Sequence, residues 1–206
     1  MSKEYFDNIA NEWDNIRKGY FTETVRENAY AIAGVKPDKL AADIGAGTGF
    51  MTEGLIKLGL QVIAVDQSEP MLKIIKNKMG ETKNIDYRIG VAEKLPIADA
   101  IVDYAFANMS LHHVQVPLTA INEMIRILKP DGKLVITDLD EHKHEFLKFE
   151  HHDVWMGFNR LDIIEWFKQA GFNVIFVDDI QEQCCAQSKC GCHQANIGIF
   201  LALGVK

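Results

Sequence analysis

The chain has 206 residues, with 29 acidic and 22 basic side chains giving a formal charge of −7, and its four cysteines all fall between positions 184 and 192. A chain of this size buries roughly 70% of its unfolded surface in a single core, so one globular domain, 1–206, is expected. The acidic balance excludes a protein that binds by covering phosphates with lysine and arginine, and nucleic acid is not an expected partner.

The N-terminal residues lack a basic segment followed by an apolar one, and no apolar run approaches the length of a bilayer span. A soluble, cytoplasmic protein without a membrane span is the expectation. In that reducing compartment Cys184, Cys185, Cys190 and Cys192 would be thiols rather than a disulfide framework.

In chain order, residues 1–36 read as amphipathic helical material carrying Tyr5, Phe6, Trp13, Tyr20 and Phe21. Beyond them, short apolar runs alternate with helical patterns, the mark of parallel strands joined by crossover helices. Leu40–Ile44 is the first predicted strand, followed by a glycine cluster and a helix near 50–58. Gln61–Val65 is the second, ending at Asp66. Ser68 then stands as a helix N-cap with Pro70 in the first turn and Gly80 as the stop. Strands are predicted at 86–89 and 103–107, a helix at 117–128, a turn at Lys129-Pro130-Asp131-Gly132, and a fifth strand at 133–137. Asn159 and Asp162 open another helix, which Gly171 ends. Strands at 173–177 and 197–203 flank the cysteine segment, 184–193, which reads as a loop.

Between the first strand and its helix lies Asp43-Ile44-Gly45-Ala46-Gly47-Thr48-Gly49. Glycines at such a junction let the backbone turn tightly and approach a ligand. Phe50 stands where a dinucleotide fingerprint needs its last glycine, and the Gly-Lys-Ser/Thr of a P-loop is absent. Asp66 lies at the carboxyl end of the second strand, where an acid can accept hydrogen bonds from both hydroxyls of a ribose. It could equally be a capping or solvent acid.

In this order the segments DIGAGTG (43–49), AVDQS (64–68) with Met71-Leu72, AEKLP (92–96), DYAFANMSLHHV (103–114) and EMIRILKPDGKLVITD (123–138) resemble the class I S-adenosylmethionine-dependent methyltransferases. The likeness is greatest to the small group related to the ubiquinone and menaquinone biosynthesis methyltransferases. The resemblance implies an α/β, Rossmann-like, seven-stranded, mostly parallel sheet of order 3-2-1-4-5-7-6, with the last strand antiparallel and helices on both faces. It implies S-adenosyl-L-methionine as cofactor, lying across the carboxyl ends of strands one, two and four. Asp43 and Gly45 would hold the methionine amino end, and Gly47 and Gly49 would keep the loop open to the cofactor. Asp66, with Gln67 beside it, would bind the ribose. Ala92 and Glu93 would border the adenine, and Asn108 would face the sulfonium and the substrate. Many relatives have an acid where Val91 stands here.

Methyl transfer from a sulfonium is an in-line displacement in which positioning supplies much of the catalysis, and a base is needed only for a protonated acceptor. With Asn108, His112 and His113 are the catalytic candidates, the alternative for the pair being a packed, capping loop. Residues 1–36 and 139–158 would form lids over the acceptor. The second of these carries His142, His144, His151 and His152, as a solvated lid or as a substrate or metal site.

Strand six should run parallel to the others, so the cysteine segment should emerge at the edge where such folds bind ligands. Cys184, Cys185, Cys190 and Cys192 could hold a soft metal ion or metalloid, form a redox pair, or have no special role. They lack the C-x2-C knuckles of structural zinc sites. The expected enzyme therefore methylates a small molecule, with a thiol, a metalloid or a soft-metal-linked compound among the candidates. The competing reading is a metal or metalloid sensor or carrier on the same fold without turnover.

Overall fold

The computed structural model describes residues 2–80 and 82–206. Three helices, α1 (Ser2–Ile9), α2 (Trp13–Lys18) and α3 (Thr24–Ala33), precede the sheet. Then follow β1 (Leu40–Ile44), α4 (Phe50–Lys57), β2 (Gln61–Asp66), α5 (Glu69–Met79), β3 (Ile85–Ile89), β4 (Val102–Asn108) and a 3-10 turn at Leu111–His113. The remainder comprises α6 (Pro117–Ile127), β5 (Leu128–Leu139), α7 (Phe146–Glu150), α8 (Arg160–Ala170), β6 (Val174–Gln187) and β7 (Gln194–Val205).

The seven strands form one sheet of order β3-β2-β1-β4-β5-β7-β6. β7 pairs antiparallel with both β5 and β6, while the pairings among β1 to β5 are parallel. The fold inferred from the resemblance is therefore the observed one.

Alternation along each strand decides which face each side chain covers. Ala42, Ile44, Ile63, Val65, Ala105, Ile136 and Leu134 pack with Ile121 and Met124 of α6 and Ile163 and Phe167 of α8. On the other face Ala41, Val62, Phe106 and Val135 pack with Val25 and Ala29 of α3 and Met51 and Leu55 of α4. Helices thus cover both faces, and the carboxyl edge of the strands is met by loops and by the first two helices.

The local signals act as their chemistry requires. Ser68 Oγ accepts from Met71 N at 3.3 Å, and Asn159 Oδ1 accepts from Leu161 N at 2.9 Å. The turn at 129–132 lies within a continuous β5: Leu128 pairs with Val102, and the next pair, Lys133 with Tyr104, follows a register shift.

The C-terminal part differs from expectation. β6 and β7 are 14 and 12 residues long and run past the end of β5 as a hairpin, so Cys184 and Cys185 are strand residues rather than parts of a loop. Residues 178–187 contain little apolar or β-branched material, and pairing with β7 imposes the strand despite that.

Candidate active site

β1 delivers Asp43 to the carboxyl edge, where it is buried and accepts from Thr52 N at 2.9 Å and Thr52 Oγ1 at 2.6 Å. Burial pushes its pKa up to about 6, against the pull of the two Thr52 hydrogen bonds. β2 delivers Asp66, whose Oδ2 accepts from Gly47 N and Oδ1 from Ser68 N, both at 2.8 Å. Burial raises the Asp66 pKa as well.

The loop between β1 and α4 is fixed by glycine backbone geometry. Gly45 has φ +71°, and a Cβ there would sit 2.6 Å from Ser110 Cβ. Gly47, at φ +53°, faces Trp13 from the N-terminal helices. Thr48 Oγ1 donates to Asp14 Oδ1 at 2.6 Å, and Lys78 pairs with the same carboxylate, so α2 is fastened over the loop.

A cavity of about 510 Å³ opens beside this loop, within the size range of cofactor sites. Asp43, Gly45, Gly47, Asp66, Gln67, Ala92, Glu93 and Asn108 all border it. Gly49 does not. It precedes α4 at φ +94°, with its missing Cβ position 3.1 Å from Ile75, so its part is local packing. Val91 also lines the cavity, and the nearby Glu93 Oε1 accepts from Gln115 N at 3.1 Å.

Arg17 is a cavity residue the sequence reading passed over. It is buried, with its guanidinium 4.2 Å from the Phe50 ring centroid, and its Nε has no hydrogen-bond partner among the described residues. A cation with an unused donor and an aromatic floor suits a carboxylate.

At the end of β4, Asn108 Oδ1 accepts from Thr137 Oγ1 at 2.7 Å. Beyond it His112 and His113 follow in the 3-10 turn. His113 borders the large cavity and also a second one of about 50 Å³, whose walls include Tyr5, Tyr20, His112, His151, Asp153 and Cys184. Asp138, at the end of the neighbouring β5, accepts from Leu111 N at 2.9 Å and lies 2.6 Å from His112 Nδ1. Burial alone would depress the His112 pKa, but the adjacent Asp138 outweighs it and pushes the pKa up to about 9. Burial and the neighbouring His112 push His113 the other way, well below its ordinary value. Burial also raises Asp153 to about 6.

Comparison with known proteins follows the same lines. Residues 42–136 match the family described as "Methyltransferase domain". Over this stretch the chain is similar to methyltransferase domains. The chain is 34% identical over 136 residues to a demethylmenaquinone methyltransferase of Renibacterium salmoninarum, covering 65% of this chain and 56% of that protein. It is also 34% identical over 163 residues to the chloroplastic 2-methyl-6-phytyl-1,4-hydroquinone methyltransferase of Arabidopsis thaliana, covering 76% and 47%. The chain thus spans about half the length of these curated relatives. Among solved structures, the complex of the Haloferax volcanii Trm112 methyltransferase activator with its methyltransferase contains a chain of the same fold. That chain matches with a TM-score of 0.79 at 18% identity, covering 97% of this chain and 96% of that one.

The four cysteines are not gathered into one site. Cys184 is buried and faces the second cavity, whereas Cys185, next along β6, is exposed. Cys190 and Cys192 are joined as a disulfide at the tip of the hairpin, not held as free thiols. Alternation along a strand separates the first two, and the disulfide uses up the other two. The thiol of Cys184 is itself pushed up to about 12 by burial, which disfavours the thiolate a metal requires. Among the described residues no helix is long and apolar enough to cross a membrane.

Proposed function

We propose that this chain transfers a methyl group from S-adenosyl-L-methionine to a small ring-bearing molecule with an ionisable hydroxyl, such as the hydroquinone named for its Arabidopsis thaliana relative. The observation that carries the reading is the junction of the two cavities at His113. There a chamber lined by buried acids and glycine backbone meets one lined by aromatic and imidazole side chains.

The fit to the cofactor rests on that first chamber. Asp43 accepts an ammonium group, Asp66 accepts ribose hydroxyls, and Gly45 and Gly47 keep the loop free of side chains. Arg17 offers its unused Nε to a carboxylate. Ala92 and Glu93, with Val91, border the adenine end. When bound, S-adenosylmethionine supplies a methyl group already activated by its sulfonium.

Asn108, His112 and His113 act at the acceptor end. Thr137 fixes the Asn108 amide where the two substrates meet. A ring hydroxyl must lose its proton for the ring to act as a nucleophile, and the His112, His113 and Asp153 group is placed to receive it. His113, whose pKa burial and its neighbours hold well below the ordinary value, is able to accept it, and Asp138 orients His112 beside it. Phe6, Trp13 and Tyr20 on one side and His151 on the other close the chamber and exclude water. The placement of the cysteines gives no support to a metalloid or thiol acceptor.

Calorimetry with S-adenosylhomocysteine tests the first chamber. A methyl-transfer assay with mass detection against hydroquinones, thiols, small amines and arsenite tests the second. Methylated hydroquinone is the expected product. Absence of S-adenosylhomocysteine binding overturns the cofactor assignment, and methylation of arsenite or thiols alone overturns the acceptor class.

A further inference from the structure

The lid segment after β5 folds back so that Asp153 meets the histidine pair of the β4 turn. His112 Nε2 and His113 Nδ1 each lie 3.9 Å from Asp153 Oδ1, and the three ligand atoms are all within 4.8 Å of one another. Among the described residues this is the one group of three or more His, Cys, Asp or Glu side chains so gathered. His113 Nδ1 is buried and has no hydrogen-bond partner among the described residues. A buried ring nitrogen left unpaired is costly and calls for an occupant.

His112 is oriented for the same purpose. Its Nδ1 contacts Asp138 Oδ1 at 2.6 Å, which places the proton there and leaves the lone pair on Nε2, directed toward Asp153. A carboxylate behind a ligating imidazole in this way sets its tautomer and raises its basicity as a metal ligand. The main chain holds the turn as well, because His112 O accepts from Val154 N and Trp155 N, both at 3.0 Å, next to Asp153 in sequence.

We propose that His112 Nε2, His113 Nδ1 and Asp153 Oδ1 bind one divalent first-row transition ion, with Asp138 as the carboxylate behind His112. Two imidazoles and one carboxylate on one side of an ion are the donor set that such ions prefer over calcium or magnesium. Ligands about 2.1 Å from an ion stand about 3–3.5 Å apart, so the three need draw in by roughly an ångström. The second cavity borders all three residues and leaves the other coordination positions open to water or an oxygen ligand. The site lies beside the acceptor end of the proposed methyltransferase, but it stands on its own ligands and does not depend on turnover.

The test uses the full chain, without a tag and stripped by chelator. Co2+ is titrated with detection of its visible bands, and Zn2+ by competition with a chromophoric chelator. One equivalent is expected, with affinity reduced at least tenfold in Asp153→Asn and in His113→Gln, and kept when the four cysteines are replaced by serine. Binding that survives both ligand substitutions, or disappears with the cysteines, overturns the proposal, as does no binding to the wild-type chain. Thermal unfolding shows whether each variant is folded. Should a variant not fold, imidazole 15N spectra of the wild-type chain decide: Zn2+ must shift His112 and His113, and shifts confined to the other five histidines overturn the assignment. S-adenosylhomocysteine binding by the same samples reports on the methyltransferase reading separately.

Discussion

The Tyr20 hydroxyl lies 3.1 Å from His151 Nδ1, across 131 positions of sequence, and ties the N-terminal helices to the segment after β5. Tyr5 reaches the same ring nitrogen at 3.5 Å, and Phe6 packs edge-on against His113 with ring centroids 4.9 Å apart. Two segments far apart in the chain thus close over one chamber, held by the tyrosine contacts to His151 and by aromatic edges.

Tyr20→Phe keeps the ring and removes the hydrogen bond, a loss of about 1 kcal/mol. Local opening of the two segments should become roughly fivefold more frequent. Amide hydrogen exchange is expected to accelerate over 13–21 and 146–153 and to stay unchanged in β1 and β4. Uniform acceleration across the sheet would mean that the bond supports the whole fold rather than the closure.

Much of this was legible in the sequence because strand and glycine signals are local. Leu40–Ile44, Asp66, Ser68 and Asn159 act where the pattern placed them. The contacts that complete the site are not local. Asp138 reaches His112 because β4 and β5 are neighbours, and Asp153 reaches the pair through the fold-back of a loop. Arg17 was hidden in a run that reads as an ordinary amphipathic helix. The cysteines misled because their crowding in sequence suggested crowding in space. A strand sends Cys184 and Cys185 to opposite faces, and the faint alternation of Cys184 and Ala186 inward against Cys185 and Gln187 outward was the available signal.

Gly45→Ala should abolish cofactor binding. The added Cβ meets Ser110 Cβ at 2.6 Å, and φ +71° is disfavoured for alanine, so a destabilisation of about 2–4 kcal/mol is expected. The double variant Gly45→Ala with Ser110→Gly removes the clash and leaves the backbone strain. It should recover part of the stability in a denaturant titration. Full recovery would show that the left-handed backbone costs nothing there, and no recovery would show that the clash is relieved by other means.

Asp66→Ala removes the acceptor of the Gly47 and Ser68 amides together with the proposed ribose contact. S-adenosylhomocysteine should bind more weakly by about 1–3 kcal/mol. Adenosine, which keeps the ribose, should lose a similar amount, whereas methionine should lose little. Calorimetry with the three ligands checks the pattern, and an equal loss for methionine would mean that Asp66 acts only by bracing the loop.

Asp43 carries a pH dependence whose sign differs between the free and the bound chain. Its pKa in the folded chain is raised to about 6 by burial, above the ordinary value of about 3.9. The folded state therefore holds the proton more tightly than the unfolded one. The stability this contributes is fully present below about pH 4 and is lost as pH rises through 6. An ammonium group beside Asp43 favours the carboxylate, so binding runs the other way. Affinity for S-adenosylhomocysteine should fall by at most about tenfold per pH unit as pH drops below 6, and level off above it. Asp43→Asn should flatten that dependence. Thr52→Val removes the Oγ1 donor at 2.6 Å, one of the two hydrogen bonds that oppose the upward shift, and should move the inflection to higher pH. Calorimetric titrations between pH 5 and 8, a range of about three units around that value, check this. An inflection unmoved by Thr52→Val would assign it to a different group.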